Sequence, residues 1–222
     1  MARRSALAPS SRRNEPRLGA ESASVRGLRA PLVQALTEVY PVSVPRLLVV
    51  TGASGAGKTA TVQALEARAV PGVQCFHFDS IGVPTAEVME RDYGGGEQWQ
   101  ASATAEWLAR LGRLPEDVRV AVLDGQTRPS FVFGAAAQAS PRTAHVVLLD
   151  CSSDVRAARL RAPRQQPELA TDRMDHWAVY LRGQADALNL AVIDTSLLTV
   201  TEAARQLEEI VLRLIESDAP AT

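Results

Sequence analysis

A continuous apolar run, Arg46-Leu-Leu-Val-Val-Thr51, passes without a break into Gly52-Ala53-Ser54-Gly55-Ala56-Gly57-Lys58-Thr59. An apolar stretch of this kind is what a strand buried on both faces requires, and such strands belong to parallel sheets covered by helices. The eight residues that follow fit the spacing G-x-x-x-x-G-K-[ST] at every position. Glycines let consecutive backbone N–H groups turn toward an anion, and the helix expected from Lys58 to Ala69 adds the positive end of its dipole. This geometry predicts a triphosphate cradle. Lys58 reaches toward the β- and γ-phosphates, and the Thr59 hydroxyl is placed to ligate Mg2+.

Composition sharpens the point about Lys58. The chain has 24 basic residues, and Lys58 is the only lysine among them. A compact ammonium on a flexible stem suits a phosphate loop in a way that arginine's planar fork does not. The formal net charge of −1 gives no reason to expect nucleic acid as a partner. No apolar stretch is long enough to span a bilayer, so a cytoplasmic location is expected. Cys75 and Cys151 lie in or at the end of strand-like segments without metal-ligand spacing, and read as free thiols in a reducing compartment.

Strand-like and helix-like segments alternate along the chain. Strands are expected at Arg46–Thr51, Val73–Phe78, Arg119–Leu123, His145–Leu149 and Leu190–Ile193. Helices are expected at Leu32–Tyr40, Lys58–Ala69, Pro84–Asp92, Glu97–Leu114, Pro129–Ala139, Asp154–Arg161, Asp172–Leu188 and Thr201–Ile215, with a loop from Ala162 to Asp172. That alternation implies an α/β architecture: a parallel sheet with helices on both faces. Residues 1–30 are rich in Arg, Ser, Ala and Pro and lack core periodicity. They read as a disordered arm, with a transit peptide or an anion-binding tail as the sharper alternatives. The folded domain is expected over 31–218.

Two carboxylates stand at strand ends. Ala121-Val-Leu-Asp124 is an apolar strand closed by an aspartate, the position from which a carboxylate serves Mg2+ in nucleotide-binding sheets. Its plainer reading is a residue that starts a turn with Gly125. Asp79, in His77-Phe-Asp79-Ser80, follows the second strand. It reads either as a turn or cap residue or as a group that accepts the proton of an attacking hydroxyl.

With these motifs in place, the sequence resembles the nucleoside-monophosphate-kinase-like group of P-loop kinases, which includes adenylate, shikimate and gluconate kinases. Asp124-Gly-Gln-Thr-Arg128 is similar to the D-G-x-x-R of adenylate kinases, with Gln126 and Thr127 where those enzymes carry Phe-Pro. The resemblance implies a three-layer P-loop fold with a five-stranded parallel sheet in the order 2-3-1-4-5 and a short lid over about 162–172. It implies an acceptor-binding region over about 80–118, a metal-serving Asp124 and an anion-gripping Arg128. Lid-side cations at Arg156, Arg159 and Arg164 would face bound ATP, although Arg156 through Arg164 also read as a solvated helix face. Asp79 matches the place where shikimate kinases and some antibiotic phosphotransferases orient an acceptor hydroxyl.

The expectation is therefore an ATP- and Mg2+-dependent phosphotransferase acting on a hydroxyl of a small, anionic metabolite. Catalytic roles fall to Lys58, Asp79, Asp124, Arg128 and Arg164, and nucleotide contacts to Gly52 through Thr59 with Arg156 and Arg159. A nucleoside monophosphate kinase and a nucleotide-gated adaptor protein are the alternatives. Trp99, beside the glycine run, is a weaker candidate for acceptor contact. Trp107, Trp177 and His176 read as packing or surface residues.

Overall fold

The computed structural model describes residues 44–138, 144–162 and 164–217. The arm expected over 1–30 and the helix expected over Leu32–Tyr40 lie outside the described residues. Among the described residues, five parallel strands form one sheet: β1 (Arg46–Thr51), β2 (Val73–His77), β3 (Val120–Asp124), β4 (Ala144–Asp150) and β5 (Ala191–Asp194), in the order β2-β3-β1-β4-β5. Seven α-helices among the same residues connect or follow them: α1 (Lys58–Glu66), α2 (Ala86–Tyr93), α3 (Gly96–Leu111), α4 (Pro129–Gln138), α5 (Ser153–Arg161), α6 (Asp172–Ala187) and α7 (Val200–Glu216).

The central strands are apolar on alternate residues of both faces because helices cover both. Leu48, Val50, Val120, Val122, Val147 and Leu149 pack with Val62 and Leu65 of α1 and with Leu207, Val211 and Leu214 of α7. The intervening positions, Leu47, Val49, Ala121, Leu123 and Val146, pack with Trp107, Leu108 and Leu111 of α3 and Val132 of α4. Full burial of each such side chain stabilises the fold by roughly 1.5–3 kcal/mol before conformational entropy is charged. On β4, Leu148 also meets Leu181 and Ala185 of α6.

Several ends differ from the sequence expectation, each for a local reason. The first helix stops at Glu66, and the chain turns through Ala69 at positive φ before Gly72 and β2. β2 ends at His77 because Phe78–Ile81 wind into a 3-10 turn. α7 starts one residue early, since Thr199 and Glu202 form a reciprocal capping box at its N-terminus. The loop after α5 holds a short 3-10 turn at Pro167–Leu169, and Thr171 then caps α6 through the Met174 N–H. No described helix is long and apolar enough to cross a membrane.

Candidate active site

The register brings the strand ends together. Asp124 is the Cα partner of Val50 on one side and of His77 on the other. The loop after β1 and the acidic end of β3 thus share one edge of the sheet, beside the β2 turn. Gly125 permits the close approach of that turn. A Cβ there would lie 2.6 Å from the Phe78 Cβ, so a larger residue would displace the turn that carries Asp79. Trp107 donates its indole N–H to the Phe78 carbonyl (3.0 Å), and Trp99 packs edge-on to the Phe78 ring. Both tryptophans therefore serve to hold the β2 turn.

Gly52 and Gly55 are needed by the phosphate loop for space as well as torsion. A Cβ on Gly52 would fall 2.2 Å from the Leu149 carbonyl oxygen, and one on Gly55 (φ 85°) 2.9 Å from the Arg156 Cγ. Lys58 is buried, and its ammonium donates to the Ala53 carbonyl (3.1 Å), spanning the loop from within. Burial pushes its pKa down from 10.5 to about 8. The nearby Asp124 carboxylate opposes that shift, the Arg164 guanidinium adds to it, and Asp79 opposes it more weakly. One ammonium thus senses charges from the β3 end, the post-α5 loop and the β2 turn.

A cavity of about 440 Å³ opens beside the loop. Gly55, Lys58, Thr59, Arg159, Arg164 and Thr195 line its polar side, and Leu198 and Val200 contribute apolar surface. Thr195 is a buried hub. Its hydroxyl lies 2.9 Å from the Ala56 carbonyl and accepts from Arg159 (2.8 Å), whose second terminal nitrogen donates to the Thr195 carbonyl (2.7 Å). Arg159 is thereby held along the loop, with its guanidinium 3.8 Å from where a Gly57 Cβ would stand.

Arg156 behaves differently, and the expectation that it faces nucleotide is corrected. Its guanidinium is buried and donates to Asp175 (2.6 Å) and to the Cys151 carbonyl (2.8 Å), with Asp150 at 3.5 Å. Its Cγ and its backbone carbonyl, rather than its guanidinium, lie against the loop at Gly55. Arg156 braces α5 against α6, and a buried cation in such a place needs these partners. Arg161 is exposed and lines neither this cavity nor the larger one below.

Asp124 is 5% exposed. Its Oδ2 has no hydrogen-bond partner in the protein, although His77 Nδ1 lies 3.2 Å away. An orphaned buried carboxylate oxygen beside Lys58, with the Thr59 hydroxyl exposed on the first turn of α1, is a donor set that suits Mg2+ once phosphate oxygens and water complete the shell. Among the described residues, no cluster of three or more His, Cys, Asp or Glu side chains could hold a metal unaided.

A larger cavity, about 960 Å³, lies between the start of α3, the β3–α4 turn and α6. Arg128 lines it in a prepared orientation. Its guanidinium donates to Gln100 (2.6 Å) and Glu97 (3.0 Å) and sits 4.9–5.8 Å from the ring centres of Trp177, Phe131 and Tyr180. Trp177 and Tyr180 stack on each other at 5.3 Å. Residues of the 80–118 segment divide between this cavity and the core. Gly96, Glu97 and Gln100 face the cavity, whereas Ala103, Trp107, Leu108 and Leu111 contribute to the core. The opposite wall, from Glu168 through Tyr180, is not identified by sequence reasoning, and it includes His176 and Trp177. A Trp and a Tyr three apart on α6, the Trp one turn before the buried Leu181, were the available signal. Asp79 is exposed on its 3-10 turn and is not part of this wall. The 162–172 segment touches both cavities, with Arg164 in the smaller and Glu168, Leu169 and Thr171 in the larger.

The sheet order and the loop at the carboxyl end of β1 define a three-layer α/β P-loop fold. Solved structures agree. The chain is similar to shikimate kinase from Acinetobacter baumannii in complex with shikimate, at 18% identity over 82% of this chain and 99% of that one, with a TM-score of 0.51. It is also similar to the tunicamycin resistance protein of Deinococcus radiodurans, at 20% identity over 75% and 95% of the two chains, with a TM-score of 0.56. No family model and no curated protein matches the sequence. The three-layer fold expected from the sequence, with the strand order 2-3-1-4-5, is the fold observed.

Proposed function

We propose that this chain is an ATP-dependent P-loop kinase that transfers the γ-phosphoryl group to a hydroxyl of a small, anionic metabolite. The observation that carries this reading is the Lys58 ammonium, buried in the loop after β1 at the same end of the sheet as Asp124, the register partner of Val50. That arrangement supports a cation for the transferring phosphoryl group beside a carboxylate for metal.

In this reading the loop N–H groups and Lys58 hold the triphosphate, while Thr195 keeps Arg159 against it. Thr59 and Asp124 would hold Mg2+, which would supply positive charge to offset that of the phosphates. Asp79 takes the proton of the acceptor hydroxyl as its oxygen bonds to the γ-phosphorus and the bond to the β–γ bridging oxygen breaks. Arg164 screens the charge that spreads over the phosphoryl oxygens. Arg128 orients an anionic group of the acceptor: of its five N–H donors, Gln100 and the exposed Glu97 take two. A phosphate as the attacking group would need no base and would be repelled by Asp79, so an alcohol is the better acceptor.

The test is ADP release from Mg·ATP in the presence of pooled hydroxylated metabolites. Asp79→Asn is expected to lower acceptor-dependent turnover by about 100-fold or more, with a much smaller change in Mg·ATP affinity by calorimetry. Equal loss of both would remove Asp79 from the acceptor's chemistry. Tight Mg·ATP binding with no acceptor-dependent turnover, together with retention of a protein partner, would support the adaptor reading instead.

A further inference from the structure

The turn after β3 does more than deliver Asp124 and Arg128. Thr127 fixes it from below. Its carbonyl accepts from the Thr51 hydroxyl (2.5 Å), and its own hydroxyl meets that of Thr104 (2.7 Å), which donates in turn to the Gln100 carbonyl (2.7 Å). Thr51, Thr104 and Thr127 are all fully buried. Water therefore does not compete for these bonds, and β1, the turn and α3 are joined into one connected frame.

Gln126 rides on this frame and faces both ways. Its side-chain oxygen accepts from the Ser54 hydroxyl in the phosphate loop (3.0 Å), and its backbone carbonyl accepts from the Gln100 side-chain N–H (2.7 Å). The Gln100 amide is thereby oriented: with its nitrogen committed to Gln126, its oxygen must face Arg128, and there it accepts (2.6 Å). A continuous chain of hydrogen bonds runs from Ser54 through Gln126 and Gln100 to Arg128, and on to Glu97. Its one link made by a half-buried side chain to the phosphate loop is the Ser54–Gln126 bond.

We propose that Gln126 is a positioning residue that couples the phosphate loop to Arg128, so that a triphosphate seated on the loop sets the orientation of the arginine that receives the acceptor. The proposal rests on the kinase reading above and deepens it. Seating phosphates on the loop N–H groups shifts the Ser54 backbone. The shift passes to Gln126 through a bond worth keeping because both ends are partly shielded from water, and from there to the Gln100 amide and the guanidinium. Acceptor binding and nucleotide binding then become reciprocal, each easing the other by the same factor.

Trp177 reports on Arg128 directly, since the guanidinium lies 4.9 Å from its ring centre, and it lines the acceptor cavity rather than the nucleotide cavity. The full chain labelled with 5-fluorotryptophan can be followed by fluorine NMR, with the Trp177 resonance assigned by its absence from Trp177→Phe. Each variant is brought to saturation with Mg·ATP, judged by calorimetry on the same sample. The expected result is a Trp177 resonance that moves on saturation in the wild type and moves less than a third as far in Gln126→Leu. Ser54→Ala, which breaks the same bond from the other side, should match it. Gln126→Glu keeps an oxygen for Ser54 and should restore the movement. A Trp177 resonance that stays still in the wild type despite measured heat overturns the coupling and leaves the kinase reading standing. An equal movement in Gln126→Leu overturns it as well. An absence of heat with wild-type protein overturns the kinase reading, and the coupling falls with it.

Discussion

Raising the pH from 7 to 9 discharges Lys58 while leaving its packing in place. Its pKa is pushed down from 10.5 to about 8, chiefly by burial, with Arg164 adding to the shift and Asp124 and Asp79 opposing it. In the free protein the charged fraction then falls from about nine-tenths at pH 7 to about one-tenth at pH 9. A bound triphosphate holds the ammonium in its charged form. Binding at pH 9 must therefore first return a proton to the side chain, and affinity for Mg·ATP should weaken about ten-fold across this interval, or ~1.4 kcal/mol. Calorimetry in buffers of different ionisation enthalpy checks both parts. The dissociation constant should rise with pH, and proton uptake should reach about half a proton per nucleotide at pH 8. Lys58→Met should bind weakly and lose the pH dependence. A wild-type dissociation constant that stays level between pH 7 and 9, or binding without proton uptake, would refute the reasoning. Stability carries the opposite signature. The folded pKa lies below the unfolded one, so between about 8 and 10.5 the unfolded chain binds more protons. Stability therefore rises with pH in that window by up to about 3 kcal/mol, the cost of burying the ammonium being fully present at pH 7.

Three further outcomes follow from contacts already described. Arg156→Ala removes the buried guanidinium shared by Asp175 and Asp150, although Asp150 keeps Arg182 within 3.7 Å, and should cost about 1–3 kcal/mol in chemical denaturation, with a smaller loss of Mg·ATP affinity. Thr195→Val removes the hydroxyl that joins Arg159 to the Ala56 carbonyl, so Mg·ATP affinity should drop by about 1–3 kcal/mol in calorimetry. Gly125→Ala drives a methyl group into Phe78 and should destabilise the fold by about 1–3 kcal/mol in thermal melts; turnover should fall further than nucleotide affinity, because the turn that bears Asp79 is what moves.

Much of this architecture was legible because each feature rests on a short-range rule. The β1 run and the loop spacing fix a strand, a turn and a helix within fourteen residues, Arg46 through Thr59, and the observed β1 has the expected bounds. Asp124 is readable because an apolar strand ending in a carboxylate is a local pattern. The larger cavity was not readable in the same way. Its walls come from α3, the β3–α4 turn and α6, and Gln100 meets Gln126 and Arg128 across 26 and 28 residues of chain. A Gln on a helix carries no sign of such a partner. Trp177 is equally silent, since an aromatic residue on a helix face reads first as core.

The arginines of α5 show most plainly where sequence reading stops. Arg156 and Arg159 are three residues apart, and helical spacing places them on one face, which is how they stand: the stem of one and the guanidinium of the other both reach Gly55. What separates them is the partner each head finds. Arg156 sits one turn nearer the β4 end, where Asp150 and the α6 carboxylate of Asp175 are waiting, and its charge is consumed in the interior. Arg159 lies one turn further along, opposite Thr195, which offers only a hydroxyl and a carbonyl. Neutral oxygens orient a guanidinium without pairing its charge, so Arg159 presents that charge beside the phosphate loop, whereas the charge of Arg156 is paired with carboxylates. The difference is set by residues 6 and 19 positions from Arg156 in one case and 36 from Arg159 in the other. No periodicity within α5 encodes it.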